Sequence, residues 1–165
     1  ACSVALLYGD ELEFRAADGI GAREVVGLRS PISRGIAGWV MASGQTAAIA
    51  DAHRDARFDR DTAQQTGYLP TSILATPIEG DDGPIGVLEV LDRAGGPHDM
   101  QVAARAAQQV ALVLDITAAA TTVDDVLGAP RLAELVGLVR QLDEMGPASQ
   151  KLAARLLSAV VENTR

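Results

Sequence analysis

The chain has 165 residues, a net charge of −8 and a pI of about 4.6. An acidic surface repels phosphate backbones and anionic lipid head groups, which argues against nucleic acid and membrane partners. Cys2 is the sole cysteine, so no internal disulfide can form, and a cytoplasmic location is expected.

The first residues predict two antiparallel strands. Cys2–Tyr8 is a nearly continuous apolar run, typical of a buried strand. Polar and apolar residues alternate over residues 11–16, so this segment is expected to be a half-buried partner strand. Residues 24–29 are interpreted as a third strand. Because the chain enters a strand at once and lacks an initial methionine, we expect it to be part of a longer protein.

A short helix is predicted next, over Gly35–Ser43. Ile36, Val40 and Trp39 are expected to face the interior. Gly44 stands where a glycine commonly ends a helix, because it adopts the left-handed conformation without strain.

The segment over residues 51–68 is polar and has no clear periodicity. Long irregular segments of this kind inside compact domains often act as lids over binding sites, so we interpret it as a lid. A short strand is predicted before it, over residues 46–50. Two apolar strands are predicted after it, over residues 72–78 and 85–91, joined by a polar turn.

The period becomes helical from Asp99, and a helix is predicted to run to about Ala120. One of its faces carries Val102, Ala106, Val110, Val113 and Thr117. Two further helices are predicted over residues 129–145 and 149–163. The order of elements predicts an α+β domain with a central antiparallel sheet over residues 1–121, followed by a helical extension over residues 122–165.

Few residues in the chain suggest catalysis or metal binding. Cys2 lies in a buried-strand pattern without a partner cysteine, so a core role is expected rather than a redox role. His53 and His98 are not at metal-ligand spacing, and Asp81-Asp82 is interpreted as a hairpin turn rather than a calcium loop. We therefore predict no catalytic residue, no metal site and no cofactor.

One polar residue occupies an unusual place. Glu89 lies within the otherwise apolar segment of residues 85–91. It either points to solvent from an open face of the sheet or points into a pocket as an acceptor for a ligand. The pattern alone leaves both alternatives open.

Four segments occur in the order and spacing of a known family: CSVALL, GIAGWV-x-x-SGQ, TGY before SILATPI, and IGVLEVLDR. On these residues the chain resembles the GAF domain family from residue 2 to about residue 118. The resemblance implies a six-stranded antiparallel sheet with helices on the back and a lidded pocket in front. It also implies a regulatory role in small-molecule binding and dimerisation through flanking helices.

In detail the chain looks closest to the cyclic-nucleotide-binding branch found in phosphodiesterases and adenylyl cyclases. This resemblance implies a ligand pocket built by Ser3, Asp18, Ile36, Ala37, Thr66, Tyr68 and Glu89. The backbone at Ile36 and Ala37 would meet a phosphate at the helix start. Asp18 and Glu89 would accept hydrogen bonds from a base, and Thr66 would donate one from the lid.

The chain also departs from that branch. Ala17 replaces an aromatic ring that stacks on the purine, which removes about 1–3 kcal/mol of stacking. Ala63 replaces an aspartate of the lid, and Pro70 replaces a threonine that donates a hydrogen bond. These differences argue against tight binding of a cyclic nucleotide.

The end of the last strand differs as well, since Asp92-Arg93 replaces an Asn-Lys pair of the branch. Arg93 is expected to hold the lid by pairing with an acidic residue such as Asp61. Other chemistries of the family are not indicated. Its sulfoxide reductases need several cysteines, its bilin carriers need a cysteine in the pocket loop, and its haem sensors place a histidine in the lid.

Taken together, these features predict a non-enzymatic regulatory domain of a bacterial cytoplasmic protein, which binds an unknown small molecule and forms a homodimer through its helices. Ligand binding would order the lid over residues 51–68 and act on the terminal helices. The main alternative is a dimerisation scaffold whose pocket is filled by Trp39, Phe58 or Tyr68. Cyclic nucleotide binding through a degenerate motif and an unrecognised enzyme activity are the others.

Overall fold

The computed structural model describes residues 1–93 and 95–123. The chain divides into two units, Ala1–Ala111 and Leu112–Arg165, and the sheet and the segment over residues 51–68 belong to the first. The helices predicted over residues 129–145 and 149–163 lie outside the described residues. The predicted division after residue 121 stays a prediction.

Six strands form one antiparallel sheet in the order β3-β2-β1-β6-β5-β4. The strands are β1 Cys2–Tyr8, β2 Glu11–Asp18, β3 Arg29–Pro31, β4 Ala47–Ile49, β5 Ile73–Gly80 and β6 Gly83–Leu91. The helices are α1 Ala22–Val25, α2 Gly35–Ser43, α3 Arg60–Gln65 and α4 Pro97–Val123, with a 3₁₀ turn at Ala52–Arg54. This confirms the predicted α+β class and its central six-stranded antiparallel sheet.

The third strand is where the prediction is wrong. The segment over residues 24–29 forms the end of helix α1 and an irregular stretch, and β3 starts only at Arg29. Gly21 and Gly27 adopt φ of 77° and 88°, which interrupts an extended chain. Beyond the second glycine the chain still bonds to β2, since the amide of Phe14 donates to the Leu28 carbonyl at 3.0 Å.

Helix α2 agrees with its prediction. Ile36 and Val40 are buried and Trp39 is half-buried against the same core. Gly44 has φ of 64°, and its amide donates to the Val40 carbonyl at 2.8 Å, which ends the helix. Gly38 is buried as well, because α2 crosses the backbone of Ile32 closely: a Cβ at this glycine would overlap the Ile32 carbonyl oxygen.

The lid is more ordered than an irregular loop. It contains the 3₁₀ turn and the six-residue helix α3. Asp59 caps α3, since its Oδ1 accepts from the amides of Asp61 and Thr62 at 3.2 and 3.4 Å. The sequence did contain this capping residue, but the short helix lacks an apolar stripe that would reveal it.

Helix α4 starts two residues earlier than predicted, at Pro97, and extends to Val123. The predicted apolar face is partly wrong, because Val102 is 36% exposed while Ala103 and Ala107 are buried with Val110. The exposed valine shows that small alanines, not the larger valine, define the contact face here. None of the described helices has both the length and the apolar content needed to cross a bilayer.

The two faces of the sheet are both covered. On the front, Ala5, Phe14 and Val87 pack with Ile36 and Val40 of α2 in one core cluster. Strand residues that alternate with these point to the back and are also buried: Val4, Leu74, Ile78 and Leu88. Phe14, Ile36 and Ile73 of this front cluster also border a cavity on the same face of the sheet.

Candidate functional site

A cavity of about 120 Å³ lies on the front of the sheet, between the start of α2, helix α1 and the lid. At roughly 10–15 Å³ for each water-sized group, it has space for about ten of them. Its walls are largely apolar and include Phe14, Ile36, Ile73 and Leu91. Polar groups are placed at a few positions along its border, which is the usual construction of a small-molecule site.

All seven predicted site residues lie around this cavity: Ser3, Asp18, Ile36, Ala37, Thr66, Tyr68 and Glu89. Three come from the sheet, two from the first turn of α2 and two from the lid. Their convergence follows from strand register, because Ser3 lies directly opposite both Ala17 on β2 and Glu89 on β6. Whether they contact a ligand stays a prediction.

Glu89 points into the cavity rather than to open solvent, which decides between the two alternatives for this residue. The Ser3 hydroxyl donates to Glu89 Oε2 at 3.1 Å. Burial raises the pKa of Glu89 above its ordinary value, and the hydrogen bond from Ser3 only partly opposes this. The carboxyl group of Glu89 therefore borders a mostly apolar cavity and can accept a hydrogen bond from a ligand there.

The start of α2 is tied to the lid by an arginine that the sequence did not single out. Arg34 donates to Asp59 Oδ1 at 2.8 Å and to Asp61 Oδ2 at 3.1 Å. Both Arg34 and Asp59 border the cavity. Burial acts to raise the pKa of Asp59, but hydrogen bonds from Thr62 and Asp61 and the charge of Arg34 outweigh it and lower the pKa.

The predicted contact between Arg93 and Asp61 is wrong. Arg93 donates to Asp99 Oδ1 at 3.0 Å, six residues along the chain, and Asp61 is held by Arg34 instead. The neighbouring Asp92, rather than Arg93, contacts the lid. Its carboxylate accepts from the Tyr68 hydroxyl and from the amide of Thr71 at 2.6 Å.

A third contact joins the lid to α2 away from the cavity. Arg57 donates to both oxygens of Asp55, at 2.9 and 2.7 Å, and its guanidinium lies 4.5 Å above the ring of Trp39. The hydrogen bonds from Arg57 lower the pKa of Asp55 from 3.8 to about 2. The pair thereby fixes the arginine over the indole.

We expect Asp55→Asn to lower the free energy of unfolding by about 1 kcal/mol at pH 7, a value reduced for solvent screening of a partly exposed pair. The lowered pKa stabilises the fold fully above pH 3.8, and this stabilisation is lost as the pH falls towards 2. The difference from the parent protein should therefore be smaller at pH 3 than at pH 7 in urea unfolding followed by circular dichroism. Asp51→Asn, at the exposed start of the lid, is the control; equal losses in both variants would contradict the assignment.

The expected core role of Cys2 is not what the structure shows, because this residue is half-buried and borders the cavity. His53 packs edge-on against Phe58, with ring centroids 5.7 Å apart. Within residues 1–93 and 95–123, no three His, Cys, Asp or Glu side chains are grouped as a metal site would require.

Three of the positions that depart from the cyclic-nucleotide-binding branch also lie on the cavity wall: Ala17, Ala63 and Pro70. All three are buried. Small side chains at Ala17 and Ala63 leave space that larger ones would fill. Trp39 does not border the cavity, whereas Phe58 and Tyr68 border it without filling it.

The sequence is similar to that of curated phosphodiesterases. It is 38% identical over 68 residues to the dual 3',5'-cyclic-AMP and -GMP phosphodiesterase 11A of Takifugu rubripes, over 41% of this chain and 8% of that protein. It is 35% identical over 93 residues to the probable 3',5'-cyclic phosphodiesterase pde-5 of Caenorhabditis elegans, over 56% of this chain and 12% of that protein. The matched part is thus about a tenth of the length of these curated relatives.

Two solved structures with a similar fold are described as GAF domains. One, from a phosphoenolpyruvate-protein phosphotransferase of Coxiella burnetii, has a TM-score of 0.65 at 19% identity, over 73% of this chain and 74% of that chain. Another, the GAF-B domain of DevS from Mycobacterium smegmatis, has a TM-score of 0.57 at 17% identity, over 73% and 83%. The family model described as GAF domain matches residues 1–114. The chain therefore belongs to the GAF domain family, and its phosphodiesterase relatives are consistent with the cyclic-nucleotide-associated branch.

Proposed function

We propose that this protein is a non-enzymatic sensor that binds a small molecule in the cavity between the sheet, α2 and the lid. One observation carries the proposal: the cavity is lined by apolar walls and convergent polar groups, and no aromatic side chain fills it. A dimerisation scaffold would have no need for this space. Dimerisation through the terminal helices and a bacterial cytoplasmic setting remain part of the proposal.

The charges around the cavity bear on the type of ligand. Among the described side chains that border it, Asp18, Asp59 and Glu89 are acidic and Arg34 is basic, and the arginine already pairs with Asp59. A ligand with N–H donors suits this border. The base of a cyclic nucleotide provides such donors, and the phosphodiesterase relatives favour this class as the second candidate.

Thermal unfolding with a panel of metabolites, including cyclic AMP and cyclic GMP, tests the proposal. A ligand at about 100 times its Kd adds about 2.7 kcal/mol to the stability, which raises the Tm of a domain of this size by roughly 5–10 °C. Thr66→Val removes a hydroxyl at the cavity border, which donates to the Ala63 carbonyl at 3.0 Å in the empty protein, and should reduce the shift. Thr71→Val, on an exposed threonine away from the cavity, is the matched control.

The panel separates the candidates. A shift with a cyclic nucleotide that Thr66→Val reduces would support the degenerate-motif alternative, and a shift with another compound would support a different ligand. If no compound raises the Tm, the scaffold becomes the better account of the fold.

A further inference from the structure

Tyr68 lies at the mouth of the cavity, where two distant parts of the chain approach each other. The residue borders the cavity and is also partly exposed. On one side it packs against Gly21, where an added Cβ would lie 3.0 Å from the Tyr68 Cβ. On the other side its hydroxyl donates to Asp92 at the end of β6. One side chain thus spans the gap between the loop after β2 and the end of β6.

Asp92 is held in place by more than this contact. It has φ of 56°, in the left-handed region that aspartate and asparagine tolerate better than most residues. Its Oδ1 accepts from the amides of Thr71 and Ser72 at 2.6 and 3.2 Å, and its own amide donates to the Ser72 carbonyl at 2.9 Å. The carboxylate is therefore a fixed acceptor, and the tyrosine is the movable partner.

The lid is fastened more firmly at its other contacts. At the start of α3, Arg34 pairs with Asp59 and Asp61, and Asp59 also caps the helix. Opening the lid there breaks the two ion pairs of Arg34. Opening it at Tyr68 breaks one hydrogen bond, and the Asp92 loop keeps its backbone contacts.

We propose that the Tyr68–Asp92 hydrogen bond is the gate of the cavity, and that it breaks whenever a small molecule enters or leaves. The gate controls access, so it can be tested with no ligand in hand. The role of this gate in sensing a ligand rests on the proposed function.

Access to the cavity can be measured through a single cysteine placed in its wall, Ala17→Cys, in a Cys2→Ser background, because Cys2 is half-buried and already partly open to solvent, whereas Ala17 is buried and borders the cavity. Tyr68→Phe removes the hydroxyl and keeps the ring beside Gly21. When opening and closing are fast, the rate at which neutral N-ethylmaleimide labels the thiol follows the open fraction. We expect Tyr68→Phe in the full chain to be labelled about tenfold faster, as for loss of a hydrogen bond to a charged group. A bulkier neutral maleimide should show a larger increase.

Two further variants make the test specific. Tyr8→Phe removes a hydroxyl from an exposed tyrosine of β1 that does not border the cavity, and its labelling rate should be unchanged. Asp92→Asn removes the charge but keeps an oxygen acceptor and the tolerance for positive φ, so it should also increase the rate. Because Tyr68 and Asp92 form one contact, the double variant should be labelled no faster than the faster single variant.

An unchanged labelling rate in Tyr68→Phe would overturn the gate, and so would an equal increase in the labelling rate of Tyr8→Phe. The gate would also be overturned if the increase in the double variant equalled the product of the increases in the two single variants. Failure of the gate and failure of the proposed function are distinguishable. The first leaves ligand-induced Tm shifts intact, and the second leaves the labelling rates intact.

Discussion

Gly38→Ala should lower the free energy of unfolding by about 2 kcal/mol, with a fall in Tm of roughly 4–8 °C. The added Cβ would overlap the carbonyl oxygen of Ile32, and it would lie 3.0 Å from the carbonyl carbon. Neither atom belongs to a flexible side chain, so the helix or the crossing backbone has to move. The gain of about 1 kcal/mol in helix propensity from glycine to alanine offsets only part of this cost.

The same change should disturb the cavity, because Ile36 and Ala37 of α2 form part of its wall. Gly96→Ala is the matched control, since a Cβ there meets nothing within 4 Å and its φ is not positive. Urea unfolding of both variants decides the matter. If Gly38→Ala and Gly96→Ala lose free energy of unfolding to within about 0.5 kcal/mol of each other, α2 does not cross the backbone of Ile32 tightly.

Glu89→Gln should stabilise the empty protein at neutral pH and weaken its ligand binding. A carboxylate in a largely apolar cavity, with one hydrogen bond from Ser3, has a desolvation cost of about 1–3 kcal/mol that a neutral amide avoids in part. If a ligand donor bonds to Glu89, loss of the charge should reduce affinity about 10–100-fold.

The stability gain should depend on pH in a defined direction. Below the ordinary pKa of 4.5 the carboxyl is neutral in both states, so the parent protein and Glu89→Gln should be equally stable. As the pH rises, the unfolded chain ionises first, and the stability of the parent protein falls relative to the variant. The gap stops growing once the pH exceeds the raised pKa of the folded state.

Urea unfolding at several pH values checks this, with Glu79→Gln on an exposed glutamate of β5 as the control. A gap between Glu89→Gln and the parent protein that shrinks as the pH rises would contradict the assignment.

Much of the fold could be predicted because local patterns and global structure agree in it. The apolar run of β1, the alternation of β2 and the C-terminal Gly44 of α2 each specify one local conformation. The segment before β3 was misread because Val25 and Val26 favour a strand, whereas Gly21 and Gly27 impose positive φ on either side. Tertiary contacts with β2, not propensity, determine that stretch.

The candidate site was predictable to a different degree. Strand register brings Ser3 and Glu89 together. Because members of a family share their strand register, the family resemblance was enough to predict that these two residues lie side by side. The partners of long charged side chains are not fixed in this way. Arg93 pairs with Asp99, and the lid is held by Arg34, because a flexible arginine bonds to whichever carboxylate the folded backbone places within reach.

The contact of Arg57 with Trp39 has a practical consequence. Trp39 is the one tryptophan of the chain, and a cation from the lid lies 4.5 Å above its ring. Movement of this part of the lid would withdraw the charge from the indole and change its emission. The protein thus contains an optical reporter of its own lid, and fluorescence of the unlabelled chain would follow that movement in real time.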